Sequence, residues 1–69
     1  MYREGAIMGY ITLTDFYTHA PVILRADKIV DVEETRRRGT CVTTGYESKP
    51  TVYVAESVAE VLSAVAEER

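Results

Sequence analysis

The sequence predicts an α+β fold in which about five short strands form a small, strongly bent antiparallel sheet or a half-open barrel, with one C-terminal helix packed on it. Three observations lead to this prediction. Strand-like segments recur at short spacing, helical periodicity appears only near the end, and 69 residues suffice for one domain. We expect residues 1–9 to be a flexible leader and residues 10–69 to form the domain.

Five segments show the apolar and polar alternation of strands and are rich in β-branched residues. Residues typical of turns separate them, including Gly39 at the end of the hairpin tip Thr35–Gly39 and the loop Gly45–Pro50. The predicted strands are Tyr10–Thr14, Val22–Arg25, Ile29–Glu34, Thr40–Thr44 and Val52–Val54.

The C-terminal segment combines a helix start signal with an apolar face. Ser57 and Glu60 form a Ser-x-x-Glu capping box, in which each side chain satisfies a backbone N–H of the other residue. The apolar positions that follow have the i, i+3, i+4, i+7 spacing of one helix face. They are Val58, Val61, Leu62 and Val65.

We expect the core to combine this helix face with the inward positions of the strands. In the third strand Val30 and Val32 are predicted to face inward, and Ile29 the opposite way. The predicted core is Ile11, Leu13, Val22, Leu24, Val30, Val32, Val42, Val52, Val54, Val58, Val61, Leu62 and Val65.

Composition restricts the classes of function. Eight Lys and Arg against eleven Asp and Glu give a net charge of −3, which is unusual for a nucleic-acid binder. One cysteine and one histidine make neither an internal disulfide nor a zinc site, so we expect no metal or cofactor. No apolar run approaches the ~20 residues of a membrane helix, and no signal peptide is recognisable. We therefore expect a cytoplasmic protein without membrane insertion.

Three sequence blocks carry a resemblance to a known family. They are ITLT at Ile11–Thr14, VILRADKIVDVEET at Val22–Thr35 and VYVAESVAEVL at Val52–Leu62. In these blocks and their order the chain resembles small flagellar proteins of the FlbD type over residues 10–66. The resemblance implies the same fold and no enzymatic activity. The chain departs from the family in its loops, as in Phe16–His19 where the family has an Asn-Gly turn, and a phage or prophage relative is the alternative.

Arg36, Arg37 and Arg38 form the strongest local charge, on a predicted hairpin tip. Guanidinium groups in such a position bind carboxylates or phosphates of a partner. Glu33 and Glu34 adjoin the run and offset its positive charge. The alternative interpretation is therefore a solvated turn that binds no partner.

Several tyrosines are predicted to lie outside the aliphatic core. Tyr10 and Tyr53 alternate with core positions, and Ile23 and Ile29 are expected on the same outer side or near an edge. Exposed together, such groups form an apolar patch that monomers rarely tolerate, so we expect a homo-oligomer. The alternative is that the tyrosines only cover the back of the sheet.

The two residues with reactive side chains give no site by themselves. His19 has Asp15 four residues before it but no recognisable third group, and Cys41 has no identifiable basic partner. With no nucleophile, metal set or phosphate loop in view, we do not expect an enzyme.

The sequence thus predicts a small interaction protein that associates with itself or with a protein partner through its sheet face or a strand edge. The residues expected to bind are Tyr10, Ile23, Tyr53, Arg36, Arg37 and Arg38. A phage-encoded accessory protein that binds a host or virion component is one alternative. The other is a nucleic-acid module in which Tyr17 or Tyr46 stacks on bases beside the arginines.

Overall fold

The structure, a computed structural model, describes residues 9–68. These residues form five strands, one short 3₁₀ turn and one helix. Residues 1–8 of the predicted leader lie outside the described residues, so that expectation stays a prediction. The strand bounds match the sequence prediction within one residue. The elements are β1 (Tyr10–Thr14), β2 (Pro21–Arg25), η1 (Ala26–Lys28), β3 (Ile29–Glu34), β4 (Thr40–Thr44), β5 (Thr51–Val54) and α1 (Val58–Glu68).

The strands form two antiparallel sheets, with the orders β1-β2 and β3-β4-β5. One isolated bridge between Asp15 and Val54 joins them. Beside it the Ala55 N–H donates to the Thr14 carbonyl at 2.8 Å and the Phe16 N–H to the Tyr53 carbonyl at 2.9 Å. The α+β class is therefore confirmed, and the sheets are not closed into a barrel.

A β-bulge in β3 reverses the predicted orientation of two residues. Ile29 pairs with Thr44 and Asp31 with Thr43, which leaves Val30 as an extra residue without a partner in β4. Because side chains alternate along a strand, one extra residue moves Ile29 onto the same face as Val32. The prediction was wrong for both residues at the bulge: Ile29 is buried and Val30 is 69% exposed.

The helix begins with the predicted capping box. The Glu60 N–H donates to Ser57 Oγ at 3.1 Å, and the Ser57 N–H donates to the Glu60 carboxylate at 2.8 Å. Val61 and Val65 form the buried strip of α1, which packs against β1, β3 and η1. Leu62, predicted in the core, is 52% exposed because it lies about 100° around the helix from Val61, at the edge of this strip.

The core fills the space between the two sheets and the helix. Of the other predicted core residues, Val22 and Val32 are partly buried against it and Val58 is half-buried. The fully buried apolar set is Ile11, Leu13, Leu24, Ala26, Ile29, Val42, Val52, Val54, Val61 and Val65.

Candidate interaction site

A tightly bonded loop between β1 and β2 presents an exposed tyrosine. One carboxylate oxygen of Asp15 accepts from the N–H groups of Tyr17, at 2.8 Å, and Thr18, at 2.9 Å. Both bonds lower the pKa of Asp15 below its ordinary value, and the bond from Thr18 has the larger effect. His19 closes the loop with a positive φ of 64° and donates its N–H to the Asp15 carbonyl. Tyr17 is held 60% exposed on this loop.

Tyr17 lies against a second tyrosine on the outer face of β5. The rings of Tyr17 and Tyr53 meet edge to face with centroids 6.1 Å apart, and the Phe16 and Tyr17 rings also meet edge to face, with centroids 5.3 Å apart. Edge-to-face pairs of this kind stabilise a fixed arrangement of the rings. The loop and β5 therefore offer one aromatic surface.

Arg38 completes this surface from the β3–β4 hairpin. Its guanidinium carbon lies 5.6 Å from the centre of the Tyr53 ring, which is cation–π distance. Hydrogen bonding to the Tyr53 side chain raises the pKa of Arg38 above its usual value, so the group carries its charge. We call Tyr17, Tyr53 and Arg38 the aromatic patch.

The hairpin tip that carries Arg38 is itself well bonded. Thr35 Oγ1 donates to the Gly39 carbonyl and accepts from the Arg38 N–H, both at 2.8 Å. Gly39 has a φ of 69°, and a Cβ there would meet the Val54 carbonyl oxygen and the Phe16 ring. The tip is thus packed against β5 and the β1–β2 loop.

The other two arginines of the run point to a different place. Arg36 and Arg37 line a groove of about 470 Å3 beside the start of α1, together with Glu34, Glu56 and Glu60. The groove therefore carries both positive and negative side chains, and the two guanidinium groups do not form a purely basic site. The structure therefore divides the predicted Arg36–Arg38 site, and only Arg38 joins a tyrosine.

Tyr10 and Ile23 form a second exposed group on the β1–β2 sheet. In the strand register Tyr10 opposes Arg25 and Thr12 opposes Ile23, so Tyr10 and Ile23 are diagonal neighbours on the outer face. Tyr10 is 40% and Ile23 57% exposed. They belong to one sheet and Tyr53 to the other, so the predicted single patch is two groups. Ile29, also expected on this side, is buried.

Three further residues considered from the sequence have structural settings. Tyr46 accepts a hydrogen bond from the Arg25 N–H at 3.0 Å and packs partly buried against the core, so its ring is not free to stack on a base. Cys41 is half-buried in β4, opposite Tyr53. His19 is exposed on the loop that holds Tyr17.

In the sequence Tyr17 is a candidate only for the nucleic-acid alternative, and no pattern there predicts its contact with Tyr53. The usable signal is Asp15, because an aspartate that starts a short loop commonly bonds the N–H groups two and three residues on. Through these bonds Asp15 fixes the position of the Tyr17 backbone. The pairing of Tyr17 with Tyr53, however, depends on the long-range bridge between Asp15 and Val54.

Residues 9–68 contain neither a metal-binding cluster nor a membrane-spanning helix. Among them no cluster of three or more His, Cys, Asp or Glu side chains is arranged to hold a metal ion. In the same residues no helix has the length and apolar character needed to cross a membrane. Comparisons of the chain with family models, curated proteins and solved structures find no significant match.

Proposed function

We propose that this protein is a small non-enzymatic interaction module that binds a protein partner, including further copies of itself, through the aromatic patch. The observation that carries the proposal is Tyr17, a largely exposed ring on a hydrogen-bonded loop, beside the cation–π pair of Tyr53 and Arg38. Tyrosine and arginine are the side chains that contribute most often to the energy of protein interfaces. A rigid anchor also loses little conformational entropy on binding.

The sheet face is favoured over the strand edges as the contact surface. On the β2 edge Pro21 has no N–H, and the Arg25 N–H already donates to Tyr46. On the β3 edge the Val32 N–H donates to the Asp31 carboxylate at 2.9 Å, and the bulge at Val30 distorts the strand. Such features protect sheet edges from pairing with another chain.

Self-association would also support a domain of this size. A chain of 69 residues buries a small core, and among residues 9–68 its one cysteine is free, so a second copy adds stability by mass action. The FlbD-type resemblance favours a flagellar partner, and a phage-encoded accessory role is the alternative. Neighbouring flagellar genes would support the first, and neighbouring phage genes the second.

A dilution series observed by NMR tests the proposed contact. As the concentration falls from hundreds to a few micromolar, the amide resonances of Tyr17, Arg38 and Tyr53 should shift, because dissociation removes the neighbouring ring or backbone. Exposed residues of α1, which contributes no residue to the patch, serve as the internal control; Ser63 is one of them. Shifts confined to α1, or no shifts across the series, would contradict the proposal.

A nucleic-acid module is the second candidate, favoured by the exposed Tyr17 ring next to the Arg38 charge. The net charge of −3 opposes it. Anisotropy of a fluorescent oligothymidine decides between the two. Binding that weakens steeply with salt and is lost in Tyr17→Ser would favour the nucleic-acid module, and absence of binding favours the protein partner.

A further inference from the structure

The outer face of the three-stranded sheet continues the aromatic patch across β4 to β3. Side chains at paired positions of neighbouring strands lie on the same face, so two rows of side chains cross this face. They are Glu33, Cys41 and Tyr53 in the first row and Asp31, Thr43 and Thr51 in the second. The alternate positions Val42 and Val52 are buried on the opposite face. The face that carries Tyr53 therefore extends to the carboxylates of β3.

Opposite charges lie at the two sides of this outer face. The β3 side carries Asp31 and Glu33, whereas on the β5 side Arg38 lies over the Tyr53 ring. Lys49 and Asp15 both line the pocket beside the patch and offset each other, so Arg38 sets the charge of the β5 side.

The two charges at the ends of the first row have no ionic partner nearby. Within residues 9–68 neither Glu33 nor Arg38 forms an ion pair, and both are exposed. Asp31 differs from Glu33, because its carboxylate already accepts from the Val32 N–H at 2.9 Å. Glu33 and Arg38 are therefore the groups on this face that are available to pair with a second molecule.

The charges distinguish between two ways in which two copies can pack through this face. A two-fold axis that runs along β4 places β3 of each copy over β5 of the other, so that Glu33 faces Arg38 and Tyr53 of the second copy. An axis perpendicular to the strands places β3 over β3, so that carboxylates face carboxylates. Opposite charges across an interface favour association and like charges disfavour it, which selects the axis along β4.

Cys41 lies in the middle of the first row, on the strand along which this axis runs. The axis therefore brings Cys41 of the two copies opposite each other. Packed sheets lie about 10 Å apart, which exceeds the distance between Cα atoms in a disulfide. The two thiols would thus face each other across the interface without a direct bond.

We infer that two copies of this protein pack face to face through the sheet of β3, β4 and β5, about a two-fold axis along β4, with Glu33 of each copy paired with Arg38 of the other. The inference rests on the proposed function, because it assigns what the aromatic patch contacts in a second copy. That contact is the acidic β3 side of the same sheet face.

Exchange of the two charges tests this arrangement by sedimentation velocity. Glu33→Arg places a guanidinium group opposite Arg38 of the second copy, and the symmetry repeats this repulsion twice. The dissociation constant should therefore rise by about tenfold or more. The matched control is Glu67→Arg, the same change of charge at an exposed position of α1, which should leave the dissociation constant unchanged. The double variant Glu33→Arg/Arg38→Glu should associate more tightly than either single variant, because opposite charges face each other again.

Thiol cross-linking tests the position of the axis. Because Cys41 is the one cysteine of the chain, a short bis-methanethiosulfonate reagent can join two copies only through this residue. Each thiolate displaces a sulfinate from the reagent, so no oxidant is needed. The parent chain should give a covalent dimer, and Glu33→Arg at the same concentration should give much less of it.

The possible outcomes separate this inference from the proposed function. Association that Tyr17→Ser weakens but Glu33→Arg leaves unchanged would overturn the two-fold arrangement and keep the aromatic patch as an interface. A double variant that associates no more tightly than the single variants would do the same. A parent chain that is monomeric at every concentration would overturn both proposals. Circular dichroism checks that each variant is folded.

Discussion

Replacing Gly39 with alanine tests how the hairpin tip is packed against β5. Gly39 has a φ of 69°, a region that costs an L-residue about 1–2 kcal/mol. Its added Cβ would also lie within contact of the Val54 carbonyl oxygen and 2.8 Å from Phe16 Cδ1, which forces a backbone or ring shift. Overpacking of this kind costs about 1–3 kcal/mol. Gly39→Ala should therefore lower the free energy of unfolding by about 2–5 kcal/mol, the sum of the two costs.

Gly9→Ala is the matched control for this prediction. Gly9 also has a positive φ, 81°, but a Cβ there meets nothing within 4 Å. It should show the conformational cost alone, about 1–2 kcal/mol. Urea unfolding of both variants, followed by circular dichroism, measures the difference. Equal losses would refute the reasoning, because they would mean that the tip does not press against the Val54 carbonyl.

Two further changes test the local bonding of the fold. Ser57→Ala should lower the free energy of unfolding in urea by about 0.5–2 kcal/mol, because it removes the acceptor of the Glu60 N–H. The control Ser63→Ala, in the exposed middle of α1, should leave the free energy of unfolding unchanged. Equal effects of the two substitutions would contradict the capping role of Ser57. Because backbone N–H bonds lower the folded pKa of Asp15, its contribution to stability is present above the ordinary value of 3.8 and is lost as the pH falls through the folded pKa. The Asp15→Asn variant keeps an acceptor oxygen at this position but does not titrate there. The stability of this variant should therefore fall less than that of the parent chain between about pH 6 and about pH 2.5. An identical dependence of stability on pH in the two proteins would show that Asp15 is not bonded in this way.

Local patterns in the sequence were sufficient to predict the elements of the fold. Alternation located the five strands, and the spacing of Ser57 and Glu60 located the start of the helix, because each signal lies within a few residues. The prediction failed at Val30, where one unpaired residue shifts the register of β3. A bulge is set by pairing with β4, and no local residue pattern in Ile29–Asp31 marked it.

The candidate site depended more strongly on contacts between distant parts of the chain. Arg36–Arg38 is one run in the sequence, yet the hairpin geometry sends Arg38 to Tyr53 and the other two toward the start of α1. Likewise Tyr17 meets Tyr53 only because the Asp15–Val54 bridge joins the two sheets. Residue type predicted which side chains could bind, whereas tertiary structure decided which of them lie together.

Sedimentation velocity at micromolar concentration tests the central claim, that the aromatic patch joins copies of this protein, most directly. The parent chain should sediment above the monomer mass, and Tyr53→Glu or Tyr17→Ser should shift it to the monomer. Leu62→Ser, at an exposed position of α1 outside the aromatic patch, should leave the sedimentation unchanged. A parent chain that stays monomeric at every concentration, or an oligomer that both tyrosine variants leave intact, would contradict the claim.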